Sequence, residues 1–94
     1  MSWFTYIYLC ADNSFYVGHT SDLTGRVVRH NSARGARHTA VHGSGQLIYS
    51  EEHTNESAAI SREQQIKRWS RAKKAALVRG DSDRLRELSQ SREG

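Results

Sequence analysis

The chain contains no proline and only one cysteine, Cys10. A lone cysteine excludes an internal disulfide framework and is typical of a reducing cytoplasm, so we expect a cytoplasmic protein in which Cys10 is a buried strand residue. No apolar run approaches the ~20 residues that a membrane span requires, and residues 1–5 lack the basic and apolar segments of a signal peptide. Repeats, low-complexity segments and linkers are also missing, so the 94 residues predict a single domain.

Charge is unevenly distributed along the chain, although the formal net charge is only +4. Residues 26–42 carry four arginines and no acid, and residues 62–79 carry seven basic residues against one acid, Glu63. Two basic clusters in so small a domain favour a polyanionic partner. A pair of solvated helix faces is the alternative explanation on charge alone.

The first half of the chain predicts a hairpin followed by a helix. Residues 4–10 are rich in β-branched and aromatic side chains, and residues 15–18 follow a turn sequence, so both segments are predicted strands. Ser21 or Asp22 can cap the helix that follows. Residues 31–45, which are rich in glycine, are predicted to form a loop.

The second half predicts a third strand and a long helix. Residues 46–50 are the strand, and the helix is capped by Thr54 or Asn55 and runs to about Val78, ending at a glycine. Residues 80–94 form a C-terminal extension with room for one short helix. The predicted fold class is therefore α/β (α+β), a small three-stranded, mainly antiparallel sheet flanked by helices in the order β-β-α-β-α(-α).

Glu63 is the most informative single residue. On a helix it lies four residues after Ala59 and three before Ile66, which places it on the apolar face. An unpaired carboxylate on that face costs about 3 kcal/mol unless another group compensates its charge. The compensation is either a buried partner such as Arg26 or a metal. Mg²⁺ commonly takes one or two protein carboxylates and completes its shell with water and phosphate, so one glutamate suffices when a phosphate is present.

Five sequence elements in a fixed order resemble one known family. They are Tyr6-Ile7-Tyr8, Tyr16-Val17-Gly18, Arg26, His30 and the helical Glu63. This order resembles the GIY-YIG nuclease domain, in particular its small stand-alone bacterial branch, over residues 4–79. The whole chain, 1–94, is accordingly interpreted as one such domain. Tyr6 stands where the family has its first glycine and Val17 where it has its second isoleucine, and both changes suit a strand.

The resemblance implies an endonuclease that hydrolyses DNA phosphodiester bonds with one Mg²⁺ or Mn²⁺ on Glu63. Arg26 would stabilise charge on the phosphoryl oxygens, and Tyr16 would orient the water or the phosphate. Tyr8 would be the general base with His30 assisting, although His30 needs less help because its ordinary pKa is ~6.5, against ~10 for a phenol. The alternative is a catalytically weak or inactive nucleic-acid-binding module that retains the nuclease fold.

The predicted site requires a particular hairpin geometry. Tyr8, Tyr16, Arg26, His30 and Glu63 should converge on one concave face of the sheet. A short turn must set Tyr8 opposite Tyr16, because a slip of one residue would send the two side chains to opposite faces.

The remaining basic residues are interpreted as contacts to the DNA backbone, which position DNA without reading its sequence. They are Arg29, Arg34, Arg37, Lys67, Arg68, Arg71, Lys73 and Lys74. Trp3 and Trp69 either stack on bases or close the ends of the core. DNA is the expected partner, with its single-stranded, duplex or branched form left open, and the chain is expected to be a monomer or a weak dimer.

Overall fold

A computed structural model describes residues 2–26 and 45–90. Its sheet has three antiparallel strands in the order β2-β1-β3, namely β1 (Trp3–Cys10), β2 (Phe15–Thr20) and β3 (Gly45–His53). Residues 23–26 are helical, and β3 is followed by α1 (Glu56–Lys67), α2 (Arg71–Arg79) and α3 (Ser82–Gln90). The predicted three-stranded α+β fold is confirmed. None of the described helices is both long and apolar enough to cross a membrane.

The β1–β2 hairpin has the register that the predicted site requires, with Tyr8 paired to Tyr16 and Tyr6 paired to Gly18. Its turn places Asn13 at a left-handed φ of 72°, a conformation that asparagine tolerates better than most residues. The backbone N–H of Cys10 donates to the carbonyl of Ser14 at 2.9 Å and closes the turn.

A β-bulge interrupts the pairing of β1 with β3. Ile7 pairs with Tyr49 and Tyr8 pairs with Leu47, which leaves Ile48 as an extra residue. Leu47 packs with Tyr8 on one face of the sheet, whereas Tyr49 packs with Ile7 on the other. The extra residue therefore reverses the alternation of side chains along β3.

The core lies on both faces of the sheet. Tyr6, Tyr8 and Cys10 form a buried cluster on one face. Ile7 lies on the opposite face, where it packs against Ile66 of α1. The prediction that Cys10 is a buried strand residue is confirmed, and burial raises the pKa of its thiol although a hydrogen bond with the neighbouring turn acts in the opposite sense.

Helix α1 is anchored to the central strand. Asn55 caps it, as predicted, since its Oδ1 accepts a hydrogen bond of 2.8 Å from the N–H of Ala58. The hydroxyl of Thr5 on β1 donates to the carbonyl of Ala59 at 2.9 Å, and both residues are fully buried. This contact directs the Ala59–Ile66 stripe of α1 onto the sheet.

A second set of polar contacts ties α1 to β3. The Nε of Arg62 donates to Glu51 at 2.9 Å, and Glu51 also accepts from the Tyr49 hydroxyl at 2.5 Å and lies 3.0 Å from the Nε2 of His53. Burial alone raises the pKa of Glu51, but the contacts from Tyr49 and Arg62 more than offset it, so the pKa lies below its ordinary value. Glu51 is therefore an ionised structural anchor.

The single long helix predicted to run to about Val78 is wrong, because the chain turns between two helices. Helix α1 ends at Lys67, and Ser70 caps α2 by accepting from the N–H of Lys73 at 3.2 Å. The half-buried Trp69 lies in the corner and packs against the core. Helix α2 ends at Gly80, whose φ of 72° is left-handed, as the C-terminal glycine predicted. The short helix expected in the extension is α3.

Candidate functional site

A cleft of about 150 Å³ opens at the β2 edge of the sheet. It is lined by Tyr6, Tyr16, Gly18, His19, Arg26 and Glu63. Three of the residues assigned to catalysis from the sequence, Tyr16, Arg26 and Glu63, thus meet in one place. His30 lies outside the described residues.

Arg26 reaches the cleft from the helical turn that follows β2. Asp22 caps this turn, as predicted, because its Oδ1 accepts from the N–H of Gly25 at 3.0 Å. Its own N–H donates to the Thr20 hydroxyl at 3.0 Å, which fixes the turn to the end of β2. Among the described residues, the Nε of Arg26 is buried without a hydrogen-bond partner. Such an unsatisfied donor costs about 1–3 kcal/mol. The Arg26 side chain also lines the cleft, so it supplies positive charge there for an anion.

Tyr6 is the tyrosine of β1 that lines the cleft. Its ring lies over Gly18, where an added Cβ would stand 2.5 Å from the Tyr6 hydroxyl oxygen. Burial is the main cause that raises the pKa of Tyr6 to about 12, the negative charge of Glu63 and the neighbouring Tyr16 act in the same direction, and Arg26 opposes them. Tyr6 is therefore a neutral hydroxyl donor at neutral pH. A glycine within a strand marks the close approach of another group, and here that group is Tyr6.

Tyr8, the tyrosine assigned as general base from the sequence, lies in the core and is not among the residues that line the cleft. Tyr8 and Tyr6 are equally buried, each 1% exposed, but the hydroxyl of Tyr8 is engaged elsewhere, since it donates to the carbonyl of Gly45 at 3.1 Å. Tyr6 and Tyr8 are two residues apart and share one face of β1, so alternation does not distinguish them. The two tyrosines are distinguished by the residue that each one pairs with on β2. Gly18 leaves room for Tyr6 to reach the cleft, whereas Tyr16 packs beside Tyr8.

Glu63 enters the cleft from α1 with a side chain that is 13% exposed. Its Oε1 contacts the Nδ1 of His19, and its Oε2 accepts from the Nζ of Lys67 at 2.6 Å. Burial raises the pKa of Glu63, but the hydrogen bonds from Lys67 and His19 outweigh burial and hold the pKa below its ordinary value. The buried pair with Arg26 that the sequence left open is not formed. Glu63 is thus an ionised carboxylate with two other partners.

His19 was not identified from the sequence. Besides its Nδ1 contact to Glu63, its Nε2 lies 3.8 Å from Glu56, and its ring centroid lies 6.0 Å from that of Trp3. The available signal was its strand position, because His19 pairs with Thr5, the residue that binds α1 one turn before Glu63. Identifying it required the register of the hairpin and the placement of α1 together.

The donor set of the cleft fits a hard cation only when a phosphate completes the shell. Within residues 2–26 and 45–90, no group of three or more His, Cys, Asp or Glu side chains could hold a metal ion. One ionised carboxylate, Glu63, together with the unsatisfied donor of Arg26, suits Mg²⁺ or Mn²⁺ bound jointly with an anion.

The Arg62–Trp69–Lys73 cluster has a structural role. Lys73 is only 7% exposed, and its ammonium lies 4.2 Å from the centroid of the Trp69 ring. The guanidinium of Arg62 lies 5.1 Å from the same centroid. Trp69 therefore closes the core, the second of its two predicted roles, and these contacts place Lys73 against the protein, away from an exposed phosphate track.

The other predicted DNA contacts differ in their surroundings. Arg68 is exposed, and the guanidinium of Arg71 lies 4.2 Å from the ring centroid of Phe15. Lys74 is half-buried, and burial followed by repulsion from Arg71 lowers its pKa. Lys67 is engaged with Glu63. Three predicted contacts lie outside the described residues, namely Arg29, Arg34 and Arg37.

Comparison with known proteins identifies a consistent set of relatives. A family profile described as the GIY-YIG catalytic domain matches residues 2–76. A UPF0213 protein of Staphylococcus epidermidis is 37% identical over 75 residues, which cover 80% of this chain and 92% of that protein. A UPF0213 protein of Staphylococcus aureus is 40% identical over 78 residues, covering 83% and 95% of the two chains. The solution NMR structure of a UPF0213 protein from Bacillus halodurans is 32% identical, with a TM-score of 0.54 over 97% of this chain and 100% of that chain.

Proposed function

Because the chain belongs to the GIY-YIG catalytic domain family, a family of nucleases, we propose that it is a divalent-metal-dependent endonuclease that hydrolyses DNA phosphodiester bonds. The observation that carries this proposal is the pairing of unlike groups in one small cleft. An ionised, largely buried carboxylate, Glu63, lies in the same cleft as Arg26, whose buried Nε has no partner among the described residues. A cation would bind the carboxylate of Glu63, and the phosphate bound with it would meet the positive charge of Arg26.

Glu63 would hold the Mg²⁺ or Mn²⁺ ion, and water and phosphate oxygens would supply its other ligands. When bound, the ion supplies Lewis-acid stabilisation of the phosphate and of the leaving 3′-oxygen. The carboxylate is prepared for this role, since the contacts from Lys67 and His19 keep it ionised at neutral pH.

Arg26 would bind a non-bridging phosphate oxygen and stabilise the charge that develops on it. Donors that are already oriented and shielded from water are the most effective for this purpose, because they need no reorganisation during the reaction. The Arg26 side chain lines the cleft and is largely shielded from water, and the Asp22 cap fixes the backbone from which it extends.

We assign the orientation of the attacking water to the hydroxyls of Tyr6 and Tyr16, both of which line the cleft. The pKa of Tyr6, raised to about 12 chiefly by burial, makes it a poor proton acceptor. Removing its proton at pH 7 costs about 7 kcal/mol, at 1.36 kcal/mol for each unit of pKa. His30, the other base considered from the sequence, is therefore the proposed proton acceptor, and Tyr6 takes the place in the cleft that the resemblance gave to Tyr8.

The proposal is tested by incubating labelled single-stranded, duplex and forked DNA with the protein, with and without Mg²⁺ or Mn²⁺. We expect cleavage of at least one substrate only with a metal, and none with Arg26→Ala or Glu63→Ala.

The competing function is a nucleic-acid-binding module without catalysis. The ion pair of Lys67 with Glu63 favours it, because an ammonium already neutralises the carboxylate that a metal would need. DNA binding that survives Glu63→Ala, with no cleavage by the wild type under any of these conditions, would establish that module and reject the nuclease.

A further inference from the structure

The two partners of Glu63 differ in how firmly they are held. His19 contacts Oε1 from an edge strand, its side chain is 29% exposed, and its ring packs near Trp3. Lys67 contacts Oε2 from the same helix as Glu63, and its side chain is 53% exposed. One partner is a short side chain on a paired strand, and the other is a long side chain in solvent.

We propose that His19 is a positioning residue for Glu63, and that Lys67 is the partner that leaves when a cation binds. This inference rests on the proposed function, since it assumes that Glu63 is the metal ligand. His19 holds Oε1 through the N–H of Nδ1, which fixes the orientation of the carboxylate and leaves its remaining lone pairs to the cleft. Hydrogen bonds of this kind orient the side chains that bind a metal.

Electrostatics selects Lys67 as the partner that leaves. An ammonium 2.6 Å from the carboxylate would stand close to a cation bound to the same group and would repel it. The imidazole of His19 can stay in place, because its N–H donates to the carboxylate without adding a second cation beside the metal. The Lys67 side chain is the exposed member of the pair, so its ammonium can turn into solvent or toward a substrate phosphate.

The strand register explains why His19 can act as a fixed support. His19 pairs with Thr5 across the hairpin, and the Thr5 hydroxyl binds the carbonyl of Ala59. Glu63 lies one turn beyond Ala59 on α1. The Thr5–His19 pair therefore contacts two successive turns of α1, which fixes the position of Glu63 along the edge of the sheet.

The experiment measures the binding of Mn²⁺ alone to the full ¹⁵N-labelled chain, without nucleic acid. Paramagnetic broadening of the backbone amide signals of Gly18 and Glu63 reports occupation of the cleft even when binding is weak. His19→Phe keeps an aromatic ring beside Trp3 but removes the donor, and it should need about 10- to 100-fold more Mn²⁺ for equal broadening. His19→Asn carries a donor at the same bond distance from the backbone as Nδ1 and should recover most of the affinity.

Lys67→Met should require less Mn²⁺ than the wild type, because the competing ammonium is gone. Arg84→Gln is the matched control for net charge, since it removes one positive charge from α3, and it should behave like the wild type. Weaker Mn²⁺ binding by Lys67→Met would overturn the assignment of Lys67 as the partner that leaves.

The possible failures are distinguishable. If Glu63→Gln binds Mn²⁺ as the wild type does, or if the wild type shows no selective broadening, Glu63 is not the metal ligand and the proposed function fails with the inference. If Glu63→Gln loses binding but His19→Phe binds normally, only the role of His19 is rejected. His19→Leu has the same expected loss and replaces His19→Phe if its amide spectrum shows that the phenyl ring is not accommodated.

Discussion

Replacing Glu63 by glutamine separates catalytic chemistry from structural support. The side chain keeps its shape and its position opposite His19 and Lys67, but it loses the negative charge. We expect Glu63→Gln to abolish DNA cleavage and to leave the fold intact, because the proposed metal ligand is lost while the packing of α1 is unchanged.

The expected effect on stability follows from the two contacts. The Lys67 pair is an i,i+4 pair with an exposed ammonium, and such pairs contribute about 0.3–0.5 kcal/mol. Converting the His19 contact from a charged to a neutral hydrogen bond costs on the order of 1 kcal/mol. Relief of burying a charge acts in the opposite direction. The net change should be about 1 kcal/mol at most, so the shift in Tm should not exceed about 4–8 °C for a domain of this size.

The assay combines DNA cleavage with thermal melts, each measured with and without Mg²⁺. At a Mg²⁺ concentration ten times Kd, binding adds about 1.4 kcal/mol to the stability of the wild type and nothing to that of the variant. Glu87→Gln, the same substitution at an exposed position of α3, is the control and should cleave normally. A loss of about 3–5 kcal/mol in metal-free buffer, the cost of breaking a buried ion pair, would refute the metal-ligand assignment, as would cleavage by Glu63→Gln.

The cleft and its surroundings lead to five further predictions. Tyr6→Phe should slow cleavage by about 10²-fold in single-turnover assays because the attacking water loses its orientation, whereas Tyr8→Phe should lose about 1 kcal/mol in denaturant titrations. Because burial raises the pKa of Tyr6 to about 12, its neutral form stabilises the fold fully below pH 10, and this contribution disappears as pH rises through 12. The free energy of unfolding should therefore decline less between pH 10 and 12 in Tyr6→Phe, and an equal decline would contradict this. Gly18→Ala places its Cβ 2.5 Å from the Tyr6 hydroxyl and should cost about 1–3 kcal/mol, with a matching fall in cleavage rate. DNA affinity should be micromolar or weaker (about 10⁻⁶ M) at physiological salt and should fall as salt rises, so binding that ignores ionic strength would oppose an electrostatic contact. Arg68→Ala should reduce that salt dependence, while Lys73→Ala should instead lower Tm.

The sequence predicted the strands and the helix caps because their signals are local. Alternating and β-branched residues identified the hairpin, and Asp22, Asn55 and Gly80 were recognisable as helix termini. The division between α1 and α2 was missed because Ser70, although a favoured N-cap residue, is not preceded by a glycine or proline that would mark the end of α1. Trp69 supplies the tertiary reason for the corner, since its packing against the core is visible only once the sheet is formed.

The candidate site was partly predictable for a related reason. The resemblance supplied residue types, and Tyr16, Arg26 and Glu63 do lie together. Choosing between two tyrosines on one face of β1 required knowledge of which one lies opposite Gly18. His19 could not be found from its own neighbours, because its importance comes from a contact 44 residues away along the chain.

The bulge at Ile48 has an effect that reaches the other edge of the sheet. Without the extra residue, the second half of β3 would be inverted and Glu51 would no longer face Arg62. Arg62 and Glu63 are consecutive and therefore point about 100° apart around the helix axis, one toward Glu51 on β3 and the other toward His19 on β2. Helix α1 is therefore held to the sheet on both sides, and rotation about its axis would break either the Arg62–Glu51 contact or the Glu63–His19 contact. Glu51, which lies outside the cleft, thus helps to orient the carboxylate of Glu63 inside it.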